Sequence, residues 1–127
     1  MQTFTKVVLY TDDKGFAQFR EEEIPLSEGS PRSMLSELQT SGGYQLRHSP
    51  IGFNKEFHCT REPQFVFILS GVMEISLQNG SSKTFTPGQH FYSNDLLPEG
   101  ETFDPTIHGH QSRQVGDEPL QTLFLRG

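Results

Sequence analysis

The chain has 127 residues, a formal net charge of −6, 32% hydrophobic residues, five His, one Cys and no Trp. Twelve Gly and eight Pro are spread from end to end and Ala17 is the single alanine, which excludes a helical bundle. Ile, Leu, Val and Phe make up about a quarter of the chain, more than the roughly 20% below which a charged chain stays disordered.

Ten basic residues against sixteen acidic ones, with no Lys/Arg cluster, leave no electrostatic footprint for nucleic acid or an anionic membrane. No apolar run approaches the roughly 20 residues needed to span a bilayer. Residues 1–10 carry one Lys and a short Val7-Val8-Leu9-Tyr10 stretch before Asp12 and Asp13, so they are not expected to act as a signal peptide. Cys59 has no internal disulfide partner, so a cytoplasmic location is expected.

In chain order, residues 3–10 alternate loosely and end at a turn cluster, Thr11-Asp12-Asp13-Lys14-Gly15. Residues 16–19 lead into Glu21-Glu22-Glu23, read as a solvated edge. Residues 27–32 form a loop. Residues 34–39 form a short strand, or one helical turn opened by Ser33-x-x-Ser36, and Ser41-Gly42-Gly43 turns the chain. Tyr44-Gln45-Leu46-Arg47-His48 then alternates, with Tyr44, Leu46 and His48 on one face. Residues 65–69 are continuously apolar, as expected of a strand buried on both faces. Ser70-Gly71 turns into residues 72–77, with Met73, Ile75 and Leu77 on one side. Asn79-Gly80 predicts a tight hairpin with both residues at positive φ, although Asn79-Gly80-Ser81 also fits a glycosylation sequon. Pro87-Gly88 turns into the strand of His90 and Tyr92; residues 97–107 are loop-rich, Gly116-Asp117-Glu118-Pro119 turns, and residues 120–125 close the chain. One domain, 1–127, with short strands between turns, points to a sandwich or barrel.

The five His are His48, His58, His90, His108 and His110. In an extended segment His108 and His110 share a face, roughly 6.6 to 6.8 Å apart along the backbone, close enough to converge on one metal or to flank a pocket. His48 shares its face with Tyr44, and Tyr92 with His90, so each could line a cavity wall or belong to a packed core. Cys59 follows His58 and is expected to point away from it as a packed thiol. Glu101 and Asp104 lie in a loop where a carboxylate could act as acid or base, or complete a ligand set.

Gly52, His58, Thr60, Gln64 and Gly71 stand at the spacing of the first motif of the cupin family, G-x5-H-x-H-x3-E-x6-G, with Thr60 at the second His position and Gln64 at the Glu position. Residues 66–75 resemble the family's paired strands, and Pro87-Gly88-Gln89 its Pro-Gly-Asp turn. The second motif, G-x5-P-x-G-x2-H-x3-N, is matched at Gly88, Pro105 and His110 with a lengthened spacer; Ile107 and Gln114 replace its Gly and Asn.

The resemblance covers roughly residues 44–125. It implies an all-β double-stranded β-helix, a cupin jelly-roll barrel, with residues 1–40 adding N-terminal edge strands and commonly pairing two copies into a homodimer. It further implies a divalent metal (Fe, Zn, Ni or Mn) held by His58, His110 and Gln64, with His108 or His90 as replacement ligands and Thr60, Tyr92, Tyr44 and His48 around the pocket. A metal-free polar pocket stands beside it. The function implied is binding of a small organic molecule, either as a metal-dependent dioxygenase, isomerase or decarboxylase or as a sensor module without catalysis, since one fold hosts both.

Overall fold

The computed structural model describes residues 2–127 and is all-β. Twelve strands form: β1 (Thr3–Thr11), β2 (Ala17–Pro25), β3 (Glu28–Ser30), β4 (Ser33–Leu35), β5 (Tyr44–Ser49), β6 (Asn54–His58), β7 (Gln64–Ser70), β8 (Val72–Ser76), β9 (Ser82–Phe85), β10 (His90–Asn94), β11 (His110–Val115) and β12 (Leu120–Arg126). Among the described residues no helix is long and apolar enough to cross a membrane.

Two sheets carry the architecture, one ordered β2-β1-β10-β7-β12-β5 and the other β6-β11-β8-β9. Strands β5 to β12 therefore distribute as 5-12-7-10 and 6-11-8-9, which is the eight-stranded, doubly Greek-key order of a jelly roll. Strand β1 adds to the first sheet by pairing parallel with β10, and β2 pairs antiparallel beyond it, so the N-terminal segment supplies the expected edge strands. Val66, Ile68, Phe91 and Leu120 from the larger sheet, with Leu9 and Ala17, form one core with Met73, Ile75, Leu77 and Phe85. Apolar residues at every second position turn one face of each sheet inward.

Several local expectations are corrected. Residues 28–30 and 33–35 pair as a small hairpin of their own, rather than a loop followed by a strand over 34–39. The β8–β9 connection is a five-residue loop held by Leu77 N–H to the Ser81 carbonyl (2.9 Å) and Ser81 N–H to Asn79 Oδ1 (2.9 Å). Only Gly80 has positive φ there, so the side chain of Asn79 closes the turn and its backbone does not enter the left-handed region. Strands β6 and β11, which periodicity did not reveal, form across 52 residues of chain through the pairing of His110 with His58. Strand β7 buries Val66 and Ile68 but leaves Leu69 half exposed, so its second face is not covered by this chain.

The two motif glycines are needed to different degrees. Both have positive φ, but a Cβ at Gly71 would lie 2.4 Å from the Pro119 carbonyl oxygen, whereas Gly52 faces open space. Chemical denaturation of Gly52→Ala is expected to show a loss of roughly 1 kcal/mol, and of Gly71→Ala at least about twice that. Equal losses at the two positions would show that the contact with Pro119 has no energetic weight.

Candidate functional site

A cavity of about 180 Å³ opens between the two sheets. Its apolar wall is core (Val66, Met73, Ile75 and Phe91) and its polar wall includes His58, Thr60, Gln64, Ser93 and His110. Strand alternation explains the set. Gln64 and Val66 on β7, Phe91 and Ser93 on β10, and His110 and Ser112 on β11 are each two residues apart, so each pair points to the same side of its sheet.

His58 and His110 are directly opposed residues of the antiparallel β6–β11 pair, which places their rings 4.5 Å apart between centroids. Gly109 permits this approach: its φ is +86°, and a Cβ there would lie 2.6 Å from the His58 carbonyl oxygen. His58 Nδ1 lies 2.7 Å from the Glu56 carbonyl oxygen and His110 Nδ1 lies 2.8 Å from Asp95 Oδ2. Both partners are acceptors, so each Nδ1 carries a proton and each ring presents its Nε2 to the cavity side. Neither Nε2 has a protein partner among the described residues.

Asp95 anchors this wall. It is fully buried; Thr11 Oγ1 donates to Oδ1 at 2.7 Å while Oδ2 faces His110. Its backbone is clamped by Thr60, whose N–H donates to the Asp95 carbonyl (2.8 Å) and whose Oγ1 accepts from the Asp95 N–H (3.1 Å). Thr60 Oγ1 also meets Ser93 Oγ at 2.8 Å. At the second His position of the motif, the chain thus carries a hydroxyl that holds the backbone of the aspartate behind His110.

The remaining expected site residues lie elsewhere. His90 sits on the outward face of β10, stacked on Phe4 at 5.0 Å with its Nε2 accepting from Val7 N–H at 3.4 Å. Tyr92, two residues on, shares that face; its ring lies under Lys6 Nζ and its hydroxyl donates to the Gly127 carbonyl. Tyr44 and His48 occupy the outward face of β5, and Arg47 of the same strand points inward and lines the cavity. The choice of face along residues 44–48 is therefore reversed, because pairing with β12 sets Arg47 opposite the buried Thr122. His108 is buried in the loop before β11, its Nδ1 accepting from Asp104 N–H (2.9 Å) and its Nε2 3.6 Å from Glu101 Oε1. Gly109 breaks the extended alternation, so His108 and His110 do not share a face, and the carboxylates of Glu101 and Asp104 serve the loop. Cys59 follows the last residue of β6 and lines the cavity. Burial, with Asp95 nearby, pushes its thiol up to about 11, so it is neither thiolate ligand nor nucleophile at neutral pH.

The motif resemblance implies a divalent metal, and the donors at this wall meet that requirement only in part. Two imidazoles with Nδ1 tied back and Nε2 free have the orientation of metal ligands. A catalytic site of this kind takes three protein ligands, and no charged third one is at hand: Asp95 is committed to Thr11 and His110, and Glu62 to Arg126. Gln64 Oε1, buried without a partner, is neutral. Among the described residues no group of three His, Cys, Asp or Glu gathers. The residues present do not complete that centre.

No family model matches the chain, and no curated protein matches it. The crystal structure of the DMSP lyase DddQ from Ruegeria pomeroyi DSS-3 is similar to it, with 18% identity, a TM-score of 0.46 and coverage of 99% of this chain and 47% of that one. The chain thus spans about half the length of that structure.

Burial foremost, with His110 and Lys55 adding to it, pushes His58 down to about 4, against the Glu56 carbonyl and Asp95. Between pH 6.5 and 4 the unfolded chain binds a proton at this residue that the folded chain refuses. Stability is expected to be full above about pH 6.5 and to fall toward pH 4, by about 1–2 kcal/mol given the partial exposure of the ring. Urea denaturation across that range should show His58→Gln with a flatter profile than wild type; parallel profiles would refute the assignment. By its own strand order the chain has the jelly-roll fold that the cupin motif implies.

Proposed function

We propose that the inter-sheet cavity holds a small organic molecule and that His110, oriented by Asp95, exchanges a proton with it. The observation that carries this reading is the buried Asp95–His110 pair, whose unpartnered Nε2 belongs to a ring lining the cavity beside a second, neutral imidazole. A carboxylate behind Nδ1 fixes the tautomer and stabilises the imidazolium formed when Nε2 accepts a proton. His58, kept neutral by burial, offers a second acceptor at the same wall. Proton transfer is a step that isomerisation and decarboxylation share, and these side chains supply it without a metal. Binding without turnover is the alternative, served by the same donors and acceptors.

Ligand-observed NMR of a small-metabolite library is expected to find compounds that bind wild type and lose binding in the His58→Gln/His110→Gln double variant. Hits that bind both proteins equally would place binding outside the cavity and end this reading. Asp95→Asn, which leaves the cavity shape intact, is expected to retain binding and lower any turnover by about 10²-fold or more. Stoichiometric micromolar Zn²⁺ binding lost in His58→Gln would replace the metal-free reading by a metal centre.

A second copy of the chain is proposed as the protein partner. Outward side chains form two cross-strand rows, Leu46–Leu123–Phe67–His90 and Tyr44–Leu125–Phe65–Tyr92. Leu46 and Tyr44 are 70% and 69% exposed at the β5 edge. An exposed apolar face of this kind can bury itself against the same face of a second copy about a two-fold axis. Light scattering is expected to find a dimer that Leu46→Arg/Leu69→Glu converts to a folded monomer; a monomeric wild type would overturn the proposal.

A further inference from the structure

Arg47 has no role in the reading above, yet it is the most unusual charge in the molecule. Its side chain enters the cavity from β5, the edge strand of the larger sheet, and faces the polar wall that β6 and β11 contribute from the other sheet. The guanidinium lies close to two rings, 4.9 Å from the centroid of Phe53 and 4.8 Å from that of Phe124. Neither ring offers its N–H groups an acceptor oxygen. Nε is buried without an acceptor, and among the described residues no carboxylate pairs with the group, whereas Arg20, Arg113 and Arg126 each have one.

Burial alone pulls the guanidinium below its ordinary range, but an arginine does not discharge in a protein. The positive charge is therefore held partly desolvated. Contact with two aromatic faces offsets part of that cost and satisfies none of the N–H donors. The surroundings reinforce the sign. In a chain of net charge −6, the cavity is lined by Arg47, Lys55, Arg61 and Arg126 against one carboxylate, Glu62, which is spent on Arg126. A cavity of about 180 Å³ is smaller than the roughly 300–1,000 Å³ of drug-sized sites, so its occupant is compact.

We infer that the ligand of this cavity is a small organic carboxylate, its carboxylate group taken end-on by the terminal nitrogens of Arg47 and its body directed toward His58 and His110. The inference rests on the cavity being a small-molecule site. A planar guanidinium fork beside two aromatic rings and without a carboxylate of its own matches the two oxygens of a ligand carboxylate, with two parallel N–H···O bonds. Apolar residues Val66, Met73, Ile75 and Phe91 cover the carbon skeleton, and the imidazole pair stands at the wall opposite β5. Arg47 is thus a specificity-determining residue, placed on a different strand and sheet from the proton-transfer pair.

The probes are two matched pairs, propionate with propionamide and benzoate with benzamide, titrated into ¹⁵N-labelled full-length protein while the Arg47 Nε–H and the His58 and His110 ring signals are followed. Both carboxylates are expected to shift these signals saturably and the amides are not. Arg47→Lys should bind the carboxylates about tenfold more weakly, and Arg47→Met should not bind them. Arg47→Met should melt no lower than wild type without ligand, because an unpaired charge is removed from the interior. Amides that bind as tightly as carboxylates, or carboxylates that bind Arg47→Met unchanged, would overturn the carboxylate assignment and leave the cavity standing as a binding site. Shifts reproduced by chloride or phosphate at the same concentrations would overturn it in favour of an inorganic anion. If neither carboxylate shifts the cavity signals, the assignment falls, and the library screen with the double histidine variant decides separately whether the cavity binds anything.

Discussion

A carboxylate with no solvent exposure is stable only where hydrogen bonds replace its water shell, and Asp95 meets that requirement with Thr11 and His110 while Thr60 holds its backbone. Thr11 at the end of β1 donates to one oxygen, His110 at the start of β11 faces the other, and Thr60 after β6 clamps the backbone on both sides. Each of these contacts positions something else. The Thr11 bond ties the N-terminal edge strands to the jelly roll. The Thr60 clamp fixes the chain segment that leaves His58. The His110 bond selects the tautomer that leaves Nε2 free. Remove the carboxylate, and the edge strand and the His110 ring lose a common anchor, while the Thr60 clamp on the Asp95 backbone keeps the cavity rim in place. Thr60, at a position where the resembled motif has a histidine, therefore has a structural logic of its own.

The cavity and the exterior follow opposite electrostatic rules. Outside, acidic residues dominate and sit at exposed strand edges, as with Glu21 and Glu23 on β2. At the cavity, Arg47 is partly buried, Lys55 and Arg61 stand at the exposed rim, and the fully buried carboxylate of Asp95 is held behind a histidine. Close packing at one end of the sandwich, around Leu9, Ala17, Leu77 and Phe85, leaves the other end to polar side chains from six strands. A rigid apolar floor beneath a polar wall keeps such side chains in fixed geometry.

Much of the fold and part of the site were legible in the residues. Alternation and turn residues marked most strands. The spacing of Gly52, His58 and Gly71 marked both a hairpin that only glycine tolerates at Gly71 and a histidine that faces the cavity. His110 was legible for the same reason. His90 and Tyr92 were misplaced because period-2 alternation groups residues by face without saying which face is inside; their side lies outward, under Phe4 and Lys6. His108 was misplaced because one glycine at positive φ separates it from His110. Asp95 carried no signal, since nothing local ties it to a histidine fifteen residues later. Arg47 was hidden by its neighbours: Tyr44 and Leu46 look like core residues, and they lie instead on the outer face of an edge strand.

By itself the sequence determined a β-rich chain and the positions of most of its turns, because those properties reside in local backbone preferences and in the side-chain period of a strand. Only the tertiary structure decided which face of each strand is interior, which carboxylate supports which imidazole, and that an arginine without a partner shares a cavity with them. Those outcomes depend on hydrogen-bond register between strands far apart in the chain, such as His58 with His110 and Arg47 with Thr122. Shifting a register by one residue would exchange inside for outside without altering any local propensity.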